Sequence, residues 1–367
     1  MHSKIIQGNN ADVLKTFPDN HFDSIVTDPP YGIDFLGKAW DANTGALETY
    51  QECLRVLKPG GHILAFSAAR TYHHLAVTLE QAGFEIRDQI MWIYSSGFPK
   101  SQDIGRSIQR SLGVKETKKN PTASKSTFNN VLSESQDKQR DNTSDDCKAG
   151  TAEQIVCTDP EAKAWSGWGT QLKPAHEPIV MARKPIKLSI AKNCQTWGVG
   201  ALHIDATRIA IDKQDEKKIA GYGNAEQPGY VFGAGEEQRQ EVLEQFVVNP
   251  AGRFPSNVIG EIPDYQKYFY CPKVGRKERH TGTDNNHPTV KPIELMKYLI
   301  KLITPAGGRV LDPFNGSGST GCAAVELDYD YTGIELDPAY VDIAQKRIAA
   351  WYQATHATTY TDLFTHA

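Results

Sequence analysis

The chain has 367 residues, 39% hydrophobic and 23% charged, with 30 Gly, 20 Pro and a formal net charge of −4. That is material for one large domain or two ordinary ones, and it excludes collagen-like, coiled-coil and wholly disordered chains. The longest apolar stretch, around His62–Ala69, falls short of the roughly 20 residues that span a bilayer. From the start, strand and helix signals alternate. Lys4–Gln7 reads as a strand, Ala11–Phe17 as a helix, and Ser24–Val26 as a buried strand running into Asp28-Pro29-Pro30-Tyr31. Gly45–Leu57 reads as a helix ended by Lys58-Pro59-Gly60-Gly61, and His62–Phe66 as the next strand. Thr71–Ala82 is a predicted helix with Gly83 suited to its C-cap, and Phe84–Tyr94 a further strand or pair.

This grammar breaks after Ser95. Residues 115–163 are rich in Lys, Asn, Ser, Thr, Gln and Asp, as in a mobile insertion. Glu177–Arg183 reads as one isolated strand, and residues 193–263 as irregular. Local charge departs from the total: residues 97–130 hold seven Lys/Arg against two Asp/Glu, 173–192 five against one, and 267–291 six against two. Solvated loops and a basic groove for phosphates are both open readings of this pattern. Regular structure returns with a helix at Ile293–Ile303, a strand at Arg309–Leu311 and a helix at Gly318–Glu326. A strand at Tyr331–Ile334 and a helix at Pro338–Trp351 follow, then a frayed tail. The expectation is an α/β fold, in which two blocks join into one seven-stranded sheet with helices on both faces and a large insertion. Six cysteines without C-x-x-C spacing predict neither a disulfide scaffold nor a metal site, and suit a reducing cytoplasm. The opening residues lack the apolar run of a secretory signal.

Two motifs carry chemistry. Asp312-Pro313-Phe314-Asn315-Gly316-Ser317-Gly318-Ser319-Thr320-Gly321 follows a strand and opens a helix, and Glu335 ends the next strand, placed for ribose hydroxyls. NAD, FAD and S-adenosylmethionine all suit such a turn; no Lys follows the last glycine, which speaks against a phosphate-binding Walker loop. Asp28-Pro29-Pro30-Tyr31 also follows a buried strand, hence stands at the same sheet edge. A carboxylate, proline carbonyls with no N–H of their own and an aromatic face suit a planar group bearing an NH2. Taken alone, the tetrapeptide is equally a proline-rich turn with a capping Asp.

Together, Asp28–Tyr31 and Phe314–Gly318 resemble the two hallmarks of the DNA amino-methyltransferases, which methylate an exocyclic nitrogen of adenine or cytosine. The order, with the Asp-Pro-Pro-Tyr block first and the glycine loop last, resembles the family's beta group. Asn286-His287-Pro288-Thr289-Val290-Lys291-Pro292 resembles its cofactor-closing motif, and Lys173–Pro185 and Asp205–Ile209 look like phage and bacterial members. The resemblance implies a Rossmann-like mixed sheet with permuted motif order. Residues 1–96 would form the catalytic half, 97–270 a target-recognition insertion whose 173–185 returns to the sheet, and 271–367 the cofactor half. It implies S-adenosylmethionine as cofactor, lined by Asp312, Phe314, Gly316 and Gly318, with Glu335 on its ribose, Lys291 on its carboxylate and Thr289 nearby. Asn9 stands where the family usually has an Asp that meets the cofactor adenine; an amide carbonyl can accept from that amine too. Asp28, Pro29, Pro30 and Tyr31 would carry catalysis on a base rotated out of the duplex, with Trp92 or Tyr94 as an opposite wall or as core. Lys100, Arg106, Arg110, Lys118, Lys119, Arg276, Lys277 and Arg279 are phosphate-contact candidates, although such a residue taken singly is more often a solvated charge. The implied partner is double-stranded DNA in a bacterial or phage setting, with a homodimer as an option and no metal. Adenine N6 is the expected target, because cytosine N4 enzymes more often carry Ser at the position of Asp28. A nicotinamide oxidoreductase using the same glycine loop is the rival from another class.

Overall fold

The computed structural model describes residues 3–33, 44–94, 101–113, 117–119, 153–210, 251–260 and 274–356. It divides into two compact units, one made of residues 1–95 with 176–367 and the other of 96–175. In chain order the first unit begins β1 (Ser3–Gln7), α1 (Asn10–Leu14), β2 (Phe22–Thr27), α2 (Leu47–Val56), β3 (Leu57–Phe66), α3 (Tyr72–Ala82) and β4 (Glu85–Ile93). The second unit contributes α4 (Ile104–Ser111), β5 (Thr117–Lys119), β6 (Glu153–Ile155) and α5 (Pro160–Ala164). The first unit resumes with β7 (His176–Arg183), α6 (Ile190–Trp197), β8 (Val258–Gly260), α7 (Arg276–Arg279) and α8 (Ile293–Ile303). It ends with β9 (Arg309–Asp312), α9 (Ser319–Glu326), β10 (Asp330–Glu335) and α10 (Pro338–His356).

The sheet has eight strands in the order β1-β10-β9-β2-β3-β7-β4-β8, so the two sequence blocks meet where β9 pairs parallel with β2. The expected count of seven is corrected by β8, a three-residue strand from the irregular middle that pairs parallel with β4. All pairings are parallel except those of β7, which runs antiparallel between β3 and β4. Alternate residues serve opposite faces, as the two-residue period of a strand requires. Leu64, Phe66, Ile179 and Met181 join one core cluster with residues of α8 and α9. Ile63, Ala65, Val180 and Ala182 join a second with residues of α2 and α3. All six residues of β2 are buried, as expected of a parallel strand covered on both faces.

Three local outcomes show why elements form where they do. Lys58-Pro59-Gly60-Gly61, expected as a turn, is the start of β3. Gly60 N donates to Lys184 O, Lys184 N donates to Gly61 O, and Asn193 reaches the Pro59 carbonyl, so a crossing segment supplies the pairing that a local breaker signal conceals. Helix α3 ends at Gly83 in the left-handed region, φ 105°, as its sequence predicts. Helix α8 has eight buried apolar residues and follows Pro292, which offers no capping side chain. Glu278 of α7 supplies the cap instead, accepting from Ile293 N at 2.5 Å.

In the second unit, Asp103 caps α4 by accepting from Arg106 N. Buried Gln109 ties α4 to the start of α5 by accepting from Thr158 N and Asp159 N. Lys100 and most of 115–163 lie outside the described residues, as do 357–367.

Candidate active site

Parallel strands β2 and β9 end side by side, and the two chemistry-bearing loops leave from those ends. Thr27 Oγ1 donates to Asp312 Oδ1 at 2.7 Å, and Thr320 Oγ1 donates to Oδ2 at 2.6 Å. Phe314 N also donates to Oδ1, at 3.1 Å. Burial pushes the Asp312 carboxyl up to about 6, against the pull of these three hydrogen bonds. Asp312, expected beside the cofactor, thus fastens the glycine turn to the end of β2.

Within the turn, the glycines have separate reasons. Gly316 and Gly318 lie in the left-handed region, φ 50° and 80°. A Cβ on Gly316 would stand 3.0 Å from the His287 ring, whereas one on Gly318 would meet Ile348 of α10 at 2.9 Å. A Cβ on Gly321 would lie 2.3 Å from the same Ile348 and 2.7 Å from Tyr331. Gly318 and Gly321 therefore let α9 approach α10 and the sheet, and Gly316 lets the turn approach the Asn286–Pro292 segment. Glu335 closes the turn from below: Oε2 accepts from Gly316 N at 2.8 Å and Oε1 from Asp337 N at 3.0 Å. Burial raises its pKa above the ordinary value, opposed by these backbone donors. Leu336 beside it is 66% exposed, and the Ser317 hydroxyl in the turn is buried with no hydrogen-bond partner among the described residues. Half-buried Phe314 stands 6.2 Å from the Tyr50 ring, centroid to centroid.

Asn9 sits where β1 leaves the sheet, next to Glu335, whose carbonyl accepts from Gly8 N. Its side-chain oxygen caps α1 by accepting from Ala11 N at 3.0 Å. Asn10, not singled out by sequence, reaches across to the Pro313 carbonyl at 3.1 Å.

On the other loop, Asp28 and Tyr31 meet Lys291 and a residue that sequence reasoning missed, Glu177. Lys291 Nζ lies 2.6 Å from Asp28 Oδ2, 3.0 Å from the Tyr31 hydroxyl and 3.4 Å from Glu177 Oε2. The Tyr31 hydroxyl is 2.8 Å from Asp28 Oδ1 and 3.0 Å from Glu177 Oε2. The ammonium also stands 4.8 Å from the Phe66 ring centroid. Burial alone would lower the Lys291 pKa, but the facing Asp28 and Glu177 carboxylates outweigh it and the net direction is up. Burial raises the Tyr31 phenol well above its ordinary range, and the same two carboxylates add to that. Pro29 is buried and Pro30 half-buried. Trp92 and Tyr94 are core residues, 2% and 3% exposed, and Tyr94 hydrogen-bonds Glu177.

Thr289 reaches the site through its backbone. Its carbonyl accepts from His287 Nδ1 at 2.7 Å, which aims the other side of the ring at Gly316. Arg279 Nη1 donates to the His287 carbonyl at 2.7 Å, so this predicted phosphate contact faces inward. Arg276 and Lys277 are exposed on α7. In the second unit, Arg106 and Arg110 lie half-buried on α4, and Lys118 and Lys119 lie on β5. Among the described residues no group of His, Cys, Asp or Glu could hold a metal ion, and no helix is long and apolar enough to cross a membrane.

Known proteins are similar to this chain along most of its length. The family model described as DNA methylase, of the N6/N4 type, matches residues 22–346. The type II methyltransferase M.HindIII of Haemophilus influenzae is 23% identical over 382 residues, covering 91% of each chain. M.HpaI of Haemophilus parainfluenzae is 23% identical over 360 residues, covering 95% of this chain and 74% of its own. Among solved structures, the M1.HpyAVI–SAM complex is 18% identical, with 94% of this chain and 98% of that one covered and a TM-score of 0.44. None of these matches supports the nicotinamide oxidoreductase reading. With its Asp-Pro-Pro-Tyr and glycine loops at adjacent strand ends and the family model spanning both, the chain belongs to the N6/N4 DNA methylases.

Proposed function

We propose that this DNA methylase transfers a methyl group from S-adenosylmethionine to the N6 amine of an adenine rotated out of duplex DNA. The observation that supports the reading is that the loop bearing Asp28 and the glycine turn leave neighbouring strand ends, β2 and β9, joined by the Thr27–Asp312 hydrogen bond.

The residues present suit the cofactor. Glu335 keeps carboxylate lone pairs beyond those used by the backbone N–H groups of Gly316, Leu336 and Asp337, which suits ribose hydroxyls. Exposed Leu336 offers a flat apolar surface beside it, and the unpartnered Ser317 hydroxyl stands in the turn. Gly316 and Phe314 would line the turn side, with Asn9 at the adjoining edge. The cofactor supplies an electrophilic methyl carbon. Lys291 and Thr289 belong to the segment that faces this turn through His287.

The protein's part is orientation and preorganised charge. An adenine amine is a weak nucleophile because its lone pair is conjugated into the ring. Asp28 and the Pro29 carbonyl would each accept one amine hydrogen, which favours a pyramidal nitrogen with its lone pair directed at the methyl. The Tyr31 ring would stack the extruded base. Asp28 need not abstract the proton first, since the nitrogen becomes acidic once methylated. Residues 97–270 would supply target recognition between the catalytic half, 1–96, and the cofactor half, 271–367. Lys100, Arg106, Arg110, Lys118, Lys119, Arg276 and Lys277 would contact phosphates.

Incubating duplex DNA with methyl-labelled S-adenosylmethionine and analysing the nucleosides tests this directly. Label in N6-methyldeoxyadenosine is the expected result. Label in N4-methylcytosine would move the target to the other base, and no label under any condition would overturn the activity.

A further inference from the structure

Asp28, Tyr31, Lys291 and Glu177 form a cluster whose donors and acceptors do not match one to one. The Tyr31 hydroxyl carries a single proton, yet two carboxylate oxygens compete for it, Asp28 Oδ1 at 2.8 Å and Glu177 Oε2 at 3.0 Å. Lys291 donates to the same hydroxyl at 3.0 Å, which turns that proton toward the carboxylates. The ammonium divides its charge as well, between Asp28 Oδ2 at 2.6 Å and Glu177 Oε2 at 3.4 Å. Glu177 is therefore an alternative acceptor for both groups that hold Asp28.

The fold gives Glu177 this place deliberately. Strand β7 runs antiparallel to its neighbours, so its first residues stand at their carboxyl ends, with Ile179 opposite Phe66 and His176 opposite Ile93. The Tyr94 hydroxyl holds Glu177 from a further side. Its side chain is only 17% exposed.

Resting on the reading of Asp28 as acceptor of the target amine, we propose that Glu177 is a positioning residue for methyl transfer. It accepts the Tyr31 hydrogen bond and faces a larger share of the Lys291 ammonium when the amine arrives, releasing Asp28 Oδ1 to receive it. The step is a rotation of the Tyr31 O–H between two acceptors; no covalent bond forms or breaks, and no proton changes owner. Without Glu177, the hydroxyl loses the second carboxylate that faces it and the amine must compete with it for Asp28 Oδ1, so the cost falls on the reacting complex.

Steady-state kinetics of Glu177→Leu and Glu177→Gln test this, with Tyr31→Phe as a second background. Glu177→Leu should lower kcat about 10- to 100-fold, with the KM values for S-adenosylmethionine and DNA within about twofold. Glu177→Gln, whose amide oxygen still accepts a proton, should recover part of the loss. In the Tyr31→Phe background the Glu177 penalty should shrink to the part that acts through the Lys291 ammonium, because no hydroxyl remains to be redirected. A kcat equal to wild type in both variants, or an undiminished penalty in the Tyr31→Phe background, overturns the inference. If Glu177→Leu does not fold, the isosteric Glu177→Gln carries the same cycle alone. Asp28→Asn, measured alongside, separates two failures. If it stays active, the reading of Asp28 is wrong; if it is inactive while the Glu177 cycle gives an overturning result, only the role of Glu177 is wrong.

Discussion

Thr27 and Asp312 stand 285 positions apart in the chain and 2.7 Å apart in the fold, hydroxyl to carboxylate. This contact joins the ends of β2 and β9 and so sets the distance between the two loops that carry the chemistry. It also has a cost that can be measured. Burial pushes the Asp312 carboxyl up to about 6, from about 3.9 in an unfolded chain. The folded state therefore binds a proton that the unfolded state releases between these values. Its stabilising effect is full below about pH 4 and lost as pH rises through 6, a change of about 2–3 kcal/mol. Asp312→Asn should remove this dependence, since an amide oxygen still accepts from Thr27 and Phe314 N. Urea unfolding from pH 4 to 7 should show wild type losing stability relative to the variant as pH rises. A difference that stays flat with pH would contradict the assignment.

The Asp28–Lys291 pair makes an asymmetric claim about stability. Lys291 has two carboxylate partners and Asp28 one ammonium, all largely buried. Lys291→Met strands both carboxylates and should cost about 3–5 kcal/mol, the range for breaking a buried pair by removing one member. Asp28→Asn leaves Lys291 with Glu177 and should cost clearly less, while stopping methyl transfer and sparing cofactor affinity. Denaturation curves give the first comparison and calorimetric titration the second. Equal destabilisation by the two changes would mean that Glu177 does not share the ammonium.

How much of this was legible in the sequence follows from the range of each signal. The Asp28–Tyr31 and Asp312–Gly321 loops were readable because each is a contiguous stretch following a strand, and strand ends define the ligand edge of such a sheet. Glu177 was not. Its strand was visible, but an isolated apolar run does not disclose its direction, and only an antiparallel β7 brings its first residues to that edge. The eighth strand, Val258–Gly260, is three residues long and exists only by pairing with β4. Lys58–Gly61 carried every local mark of a turn, and pairing with Lys184 overrode it. Gly318 and Gly321 fitted a ligand-loop pattern, yet their missing side chains make room for Ile348.

That packing role for Gly321 can be separated from any ligand effect. An added Cβ would meet Ile348 Cδ1 at 2.3 Å inside a close-packed core. Gly321→Ala should therefore destabilise by about 1–3 kcal/mol, the usual cost of overpacking. Ile348→Val deletes the offending methyl, so the double variant should regain much of the loss, as thermal unfolding would report. No recovery in the double variant would show that Tyr331, the other neighbour at 2.7 Å, decides the cost.

The basic run on α7 divides into residues with opposite consequences. Arg276 and Lys277 are exposed, whereas Arg279 donates to the His287 carbonyl and Glu278 caps α8. Burial lowers the Arg279 pKa, and the neighbouring Arg347 adds to that, so this guanidinium serves the interior. Replacing Arg276 and Lys277 with Gln should leave folding unchanged and weaken DNA binding uniformly across sequences. Each lost phosphate contact should flatten the slope of log affinity against log salt by about 0.9. Arg279→Gln should instead lower stability and loosen the His287–Gly316 approach, so its effect should appear in cofactor affinity with little change in salt slope. Glu278→Ala should cost about 1–2 kcal/mol as a lost helix cap, and Glu278→Gln much less. Binding isotherms at four or more salt concentrations, paired with unfolding curves for the same proteins, distinguish the two classes. A salt slope that moves with Arg279 but not with Arg276 and Lys277 would reverse the assignment.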